Sequence, residues 1–482
     1  PLHGNRAPQP RCVEPLSNDD HRNGAGEGVF RIDRVRIGRR AAVAECDEPD
    51  VPHRSPRHRQ PDEVAGLADA ERTAERLAAG GLRGFVCVSK NARRAPHDGG
   101  TEEEGNPFSK IIQTSDGGYL FITESWSENF DVIGHHAHSD AWTVKLDSIG
   151  QIQWSHSFGG ELYETPRNLY ELPGHRYLIM SRSSSNDGDV PDNADSTEYD
   201  AWVFVVDSAG NIIRNNVYGG SGDDELYTVV PVQNGNLALF GFTSSHDGDL
   251  AGLTVDSVDA WMLTIDTAGN VVSSRVYGQS DVEFFFDAVK TVDDGFVVFG
   301  ESGDPGIPLD KGSWHGEHDF WALRLDSVGN VLWQGMYGGS GLDQLWSAAA
   351  APDNNSYYLA GTALSHDGDV TDNIFSGRDM WIVDIGLDGS MLWQKALGGS
   401  QPDYCYSVAG PCIVAGGTYS NDGDVSDLDG DADGWVVQLD FPTVSGSTPV
   451  QSASLASMAS CAGARTTSSA SWSVRPTSRA IR

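Results

Sequence analysis

The chain has 482 residues, with 39% apolar and 9% aromatic side chains, 56 Gly and 22 Pro, enough for a sizeable core but too rich in turn-formers for long helical bundles. It carries 69 acidic against 33 basic side chains, a net charge of -36, so most of its surface repels a nucleic-acid duplex or an anionic membrane. No run of about 18 apolar residues occurs, which excludes a membrane-spanning helix.

In chain order, residues 1–97 hold 17 Lys/Arg and 14 Asp/Glu. They read as an irregular, largely disordered flank with one short helix, opened by Asp62 and Glu63 after Pro61 and closed at Gly80-Gly81. Residues 98–440 hold 12 basic and 55 acidic side chains, a net -43. Residues 441–482 are rich in Ser, Ala and Thr and hold four Arg and no acid, so they bury too little apolar surface to offset ordering and read as a disordered tail. Because neither flank supplies the closing strand that the repeat described below requires, a shifted reading frame at each boundary is a hypothesis, which the genomic DNA tests. Six Cys are scattered without metal-type spacing. Cys405 and Cys412 flank the Ala409-Gly410-Pro411 turn and stand either as a hairpin disulfide or as two buried thiols.

The middle segment repeats itself. An aromatic-led phrase recurs as AWTVKLDSIG, AWVFVVDSAG, AWMLTIDTAG, FWALRLDSVG, MWIVDIGLDG and GWVVQLD, and its Trp residues 142, 202, 261, 321, 381 and 435 are spaced by 60, 59, 60, 60 and 54 positions. A second phrase, SFGGE, VYGGS, VYGQS, MYGGS or ALGGS, follows each of the first five, and DGGT at 98 reads as its earliest copy. Each unit holds four short alternating runs; in the third they are 226–232, 236–243, 260–266 and 271–277, joined in pairs by hairpin-turn residues. Units of about 60 residues with four antiparallel strands are propeller blades, so the expectation is an all-β, six-bladed β-propeller over 98–440. The sixth unit stops after its third strand, at Trp435 to Asp440, so ring closure needs a strand from elsewhere. Residues 92–97 are a poor strand, and Phe85-Val86-Cys87-Val88 is the nearest β-like run.

The phrases W-x-x-x-L-D-x-x-G-N, Y-G-G-S and S-x-D-G-D-V resemble the tandem propeller repeats of secreted or surface-anchored bacterial proteins, notably repeat lipoproteins exported by type IX secretion. The resemblance covers 98–440 and implies an extracellular or cell-surface location. A looser similarity is to pyrroloquinoline-quinone-type propellers, through Trp154, Trp333 and Trp393; inter-blade packing is the competing reading of these indoles.

In a propeller, the loops between strands two and three and between blades open on one face. The inter-blade loops carry Glu102 to Glu104, Glu161, Glu164, Asp223 to Glu225, Asp281, Glu283, Asp343 and Asp403, and one strongly acidic face is expected. The strand-two-to-three loops carry Asp187-Gly188-Asp189, Asp247-Gly248-Asp249, Asp367-Gly368-Asp369 and Asp422-Gly423-Asp424. Paired carboxylates around a Gly offer hard oxygen ligands to calcium, although Asp and Gly are also ordinary turn residues. Asp429, Asp431 and Asp433 match the D-x-D-x-D-G start of a calcium loop, with Asp440 at its twelfth position. The first and fourth units carry His135, His136 and His138, or His315, Glu317 and His318, in place of the Asp-Gly-Asp, and would face each other across the axis. Imidazole plus carboxylate is a transition-metal donor set; surface-loop histidines are the plainer reading.

There is no nucleophile elbow, zinc-protease motif, phosphate loop or dinucleotide fingerprint, and the sialidase Asp box is not met. The leading expectation is a monomeric binding or adhesion module, without catalysis, using calcium-stabilised loops to bind a protein, carbohydrate or cationic ligand. The alternatives are a hydrolase or quinoprotein-like enzyme with an axial pocket, and an acidic structural propeller adapted to high salt.

Overall fold

The computed structural model describes residues 108–191, 198–278, 281–304, 308–373, 375, 377–425, 428 and 432–439. The short helix at 62–80, the run 85–88, the acids at 102–104, and Asp429, Asp431 and Asp440 lie outside them.

Six antiparallel sheets follow one another along the chain, spanning 110–158, 164–218, 224–277, 283–337, 343–397 and 403–438. In the third, strands Asp224–Pro231, Leu237–Thr243, Asp259–Ile265 and Val271–Tyr277 pair in sequence order, each within two residues of its expected bounds. The first strand of each sheet packs on the first strand of the next, which makes these the inner strands of a ring. The fold is the six-bladed β-propeller read from the repeat.

Alternation explains the strands. In the first five blades the third strands are buried on both faces, as in Asp200–Val206, because they lie between neighbouring blades, whereas outer strands such as Val271–Tyr277 keep much of their length exposed. The repeated Trp fixes the spacing between blades. Trp202, Trp261, Trp321 and Trp381 are fully buried, and each donates its indole N–H to a side chain 13 residues on in the outer strand: Asn215, Ser274, Gln334 and Gln394. A buried indole so partnered adds area without leaving its N–H unsatisfied. Tyr218 and Tyr277 then donate their hydroxyls to Gly269 O and Gly329 O in the next blade's turn, at 2.6 and 2.7 Å. Trp154 likewise donates to Ser208 O at 3.0 Å, and Trp333 packs against Gly389, so these indoles serve inter-blade packing.

The sixth sheet has three strands, as the truncated repeat requires, and Asp433–Gln438 forms its outer edge among the described residues. The fourth has a fifth, two-residue strand, Lys311–Gly312, parallel to its outer strand. Cys405 and Cys412 are free, buried thiols; no disulfide joins them. No helix among the described residues is long and apolar enough to cross a membrane.

Candidate functional site: the loop end and the axis

Strand-two-to-three loops and inter-blade connectors share one end of the ring, here the loop end. Backbone bonds tie them together, as from Ser184 N to Tyr163 O at 3.1 Å and from Ser244 N to Asp223 O at 2.8 Å. Each Asp-Gly-Asp works as a latch on the Gly-Gly turn that enters its blade. Its first Asp accepts a backbone N–H: Asp187 from Glu161 at 2.8 Å, and Asp247, Asp367 and Asp422 from Ser221, Ser340 and Ser400 at 2.7 Å. The backbone N–H of Asp189, Asp249, Asp369 and Asp424 donates to the carbonyl of Gly159, Gly219, Gly338 and Gly398 at 2.8 to 2.9 Å. The middle Gly has φ between 56° and 66°, where a Cβ is both strained and blocked by that carbonyl. Burial raises the pKa of Asp189, Asp249 and Asp369, whereas the Ser340 amide lowers that of exposed Asp367. Asp433 opens its strand in the sixth blade.

Behind each latch two further acids meet. The third strand of one blade and the inner strand of the next both begin with a buried carboxylate, giving the pairs Asp140/Glu164, Asp200/Asp224, Asp259/Glu283, Asp319/Asp343 and Asp379/Asp403. In every pair one oxygen from each member lies within 3.0 Å of the point a Cβ would occupy on the intervening glycine: 159, 219, 278, 338 or 398. Only glycine leaves this room. The inner-strand acid is held by its turn and a serine: Asp224 accepts from Gly220 N at 2.8 Å and Ser245 Oγ at 2.6 Å. Oδ1 of Asp140 and Asp319 is buried without a hydrogen-bond partner, whereas the Asp259 and Asp379 carboxyls hydrogen-bond those of Glu283 and Asp403. Burial, reinforced by neighbouring carboxylates for the last three, pushes Asp224 up to about 6, Asp319 and Asp379 to about 7, and Glu283 to about 8. Sequence reading placed Glu164, Glu283, Asp343 and Asp403 on inter-blade loops; they are buried at strand starts. Among the described residues no three His, Cys, Asp or Glu side chains stand in ligating geometry around one point.

The expectation that the acids collect at one end holds only in part. The opposite, hairpin end carries Asp147, Asp207, Asp266, Asp326 and Asp388 in the turns between third and outer strands. It also gathers cations, among them Lys145, Lys290 and Arg324.

The axis is filled by side chains that the repeat reading missed. Each inner strand from the second blade on bulges at one residue: Arg167, Tyr227, Phe286, Trp346 or Tyr406. Opposite four of these bulges lies a Gly in the second strand, 241, 300, 361 or 416, where a Cβ would strike the inner-strand carbonyl. A bulge re-aims its side chain, here toward the axis. Phe108 meets Tyr227 at 5.5 Å and Trp346 at 6.1 Å; Tyr227 meets Phe286 at 5.0 Å, Phe286 meets Trp346 at 5.8 Å and Trp346 meets Tyr406 at 6.2 Å. The Arg167 guanidinium lies 4.2 Å over Phe108. Residues from five blades touch one another only if they meet at the centre. A Gly in mid-strand, recurring in four units, was the available signal.

Two charged groups stand beside this ring. Glu225 is buried and gripped by Arg167 at 2.8 Å and Arg182 at 2.5 Å. Burial alone would raise its pKa, but the two guanidiniums hold it down to about 2. In the fourth blade burial lifts Glu301 to about 8. His318 Nδ1 stands 3.8 Å from Glu301 Oε1, and burial lowers its pKa. Arg378 bonds Gln344, and Gln344 in turn bonds Glu301. The histidine loops therefore reach acids: His135 and His136 stand 3.3 and 3.2 Å from Asp140 Oδ2, and His315 stands 3.6 Å from Asp319 Oδ2.

The chain matches no protein-family profile and no curated protein. Among solved structures it is similar to the Pan2 WD40 domain of Neurospora crassa, at 10% identity and TM-score 0.36 over 63% of this chain and 68% of that one. It is also similar to the GH93 α-L-arabinofuranosidase of Fusarium graminearum in complex with arabinobiose, at 12% identity and TM-score 0.40 over 64% and 87%. A third is the Kuenenia stuttgartiensis hydrazine synthase, at 13% identity and TM-score 0.33 over 69% and 96%. The architecture of this chain rests on its own strand pairing.

Proposed function

We propose that this propeller is a secreted or cell-surface binding module that takes a protein, carbohydrate or cationic ligand on its loop end, with calcium as counter-ion to the acidic loops. The carrying observation is the division between centre and rim. Aromatic rings occupy the axis, while the loop end leaves Trp126, Phe130, Trp314 and Tyr419 exposed by 38 to 55% among carboxylates. Exposed aromatics beside acids suit the apolar face of a sugar ring or a cationic side chain. Blades 1 and 4, whose loops depart from the repeat, supply Trp126 and Trp314. The extracellular placement draws on the resemblance of the repeat.

The test is binding of the full chain to a glycan array and to Lys/Arg-rich peptides, with parent and Trp126→Ala/Trp314→Ala proteins side by side. The reading expects saturable binding that the double variant weakens about tenfold or more; no binding, or binding indifferent to both indoles, contradicts it. A second reading, an enzyme, is favoured by the buried Glu301 beside His318, a carboxyl poised to exchange a proton near neutral pH. It requires turnover that Glu301→Gln abolishes while the fold persists.

A further inference from the structure

The seam between blades 6 and 1 differs from the other five junctions. Each of those is filled by a core drawn from both neighbours, as where Trp381 and Val383 of blade 5 pack with Phe299 and Phe320 of blade 4. At the seam, Trp142, Val144 and Val132 cluster with residues of blade 1 alone. Across from them the third strand of blade 6, Asp433–Gln438, pairs with no outer strand among the described residues, and its Gly434, Val436 and Gln438 are exposed, Val436 by 42%. Leu439 N bonds Cys412 O, so the odd-numbered residues of this ladder turn their backbone groups toward the second strand. The three exposed, even-numbered residues turn theirs toward the open edge.

Two further features mark what fits there. In the five complete blades the repeated Trp donates its indole N–H to a side chain of the outer strand, Ser155, Asn215, Ser274, Gln334 or Gln394. The indole N–H of Trp435, a residue only 5% exposed, has no such partner among the described residues. Outer strands also lay side chains against the hairpin glycine of the next blade: Arg214 and Asn216 at Gly269, Arg275 and Tyr277 at Gly329, and Trp333 at Gly389. Gly150, the same glycine in blade 1, has open space around it. Both docking points of an outer strand are therefore present and uncovered.

We propose that this seam is a strand-acceptor site, which takes an extended, neutral or basic segment of another polypeptide as the outer strand of blade 6. Main-chain bonds to the Asp433–Gln438 edge supply the affinity. A hydroxyl or amide side chain opposite Trp435 and an aromatic or Arg side chain over Gly150 supply the selectivity. The partner's charge follows from the net -43 of residues 98–440, which repels an acidic strand and a second copy of this chain alike. The site lies on the rim of the ring and stands or falls independently of the loop-end function proposed above.

The experiment is fluorescence anisotropy of a labelled synthetic peptide, residues 270–278 of this chain, titrated with the full chain. That outer-strand sequence carries Ser274 and Tyr277 in the required places and no acid. The expected result is saturable one-to-one binding, weakened about fivefold by Ser274→Ala in the peptide. Val436→Pro in the protein removes an outward N–H at a strand edge, where proline is tolerated, and should weaken binding about tenfold or more. Ser273→Pro in the peptide blocks the ladder from the other side and keeps the test decisive if the protein variant does not fold. No binding by the parent pair, binding unchanged by either proline, or equal binding of a scrambled peptide overturns the proposal. So does a dimer in light scattering that the peptide fails to dissociate, which would assign the seam to a second copy.

Discussion

The two ends of the ring hold the same residue type in opposite physical situations. At the hairpin end Asp207, Asp266 and Asp326 are partly exposed, and each accepts backbone N–H groups from residues two and four positions on, between 2.8 and 3.0 Å. The Asn211 and Asn270 side chains contribute most for the first two and the Asn330 amide for the third, and with the other turn amides these donors hold the three carboxyls below the usual carboxylate range. At the loop end Asp224, Glu283 and Asp319 face another carboxylate out of solvent, and burial drives them up. The lesson is that an acid count sets the overall field of the molecule but not the state of any one acid. Amide-rich turns favour the charge, and the buried strand starts oppose it.

Substitutions sharpen that contrast, beginning with the largest. Arg167→Ala removes one of two cations gripping Glu225 and a member of the axial ring, and should cost about 3–5 kcal/mol in denaturant unfolding. A variant as stable as the parent would mean that the Glu225 cluster is not the buried charge centre it looks to be. Gly338→Ala, whose Cβ strikes Asp319 Oδ1, should cost about 1–3 kcal/mol. Gly174→Ala at the hairpin end, with open space around its Cβ and φ of 83°, should cost only about 1 kcal/mol of backbone strain. Equal penalties for the two glycines would erase the distinction between the ends.

Glu301→Gln is expected to act through pH. The folded-state pKa of Glu301 is raised from 4.5 to about 8, so the folded protein holds a proton that the unfolded chain releases. Its contribution is complete below about pH 4.5 and is lost as pH rises through about 8, at on the order of 1 kcal/mol per pH unit. Arg378 is the charged group acting on it, and His318 the titratable one beside it. The Gln variant should show a flatter decline and exceed the parent in melting temperature above about pH 8; an unchanged pH profile would place the carboxyl in solvent. Smallest of all, Asp266→Asn should barely move the melting temperature, since its donors are exposed turn amides.

What was legible in the sequence was whatever recurs inside one blade. The Trp phrase gave the count and the spacing, the alternating runs gave the strands, and the truncated last unit gave the three-stranded sheet. The Asp-Gly-Asp loops were found as well, but their first carboxylates satisfy backbone amides of the turn they latch. The acid pairs were harder to see because their members belong to different blades. Asp319 reads as the lead-in to a Trp phrase and Asp343 as a loop acid, and only the ring brings them together across Gly338. The axial ring escaped for a related reason: Tyr227, Phe286, Trp346 and Tyr406 break the period-two alternation of their strands. The glycines that permit those bulges sit in the neighbouring strand. Cys405 and Cys412, close in sequence around a turn, are free thiols buried in one core cluster of blade 6.

The most direct measurement of the central claim, that the loop-end acids are paired in a buried setting that resists ionisation, is the melting temperature of the chelator-treated full chain from about pH 5 to about pH 8. With folded-state values near 6, 7 and 8 for Asp224, Asp319 and Glu283, each above its unfolded value, stability should fall steadily across that window. A melting temperature that stays level or rises over the same range would contradict the account.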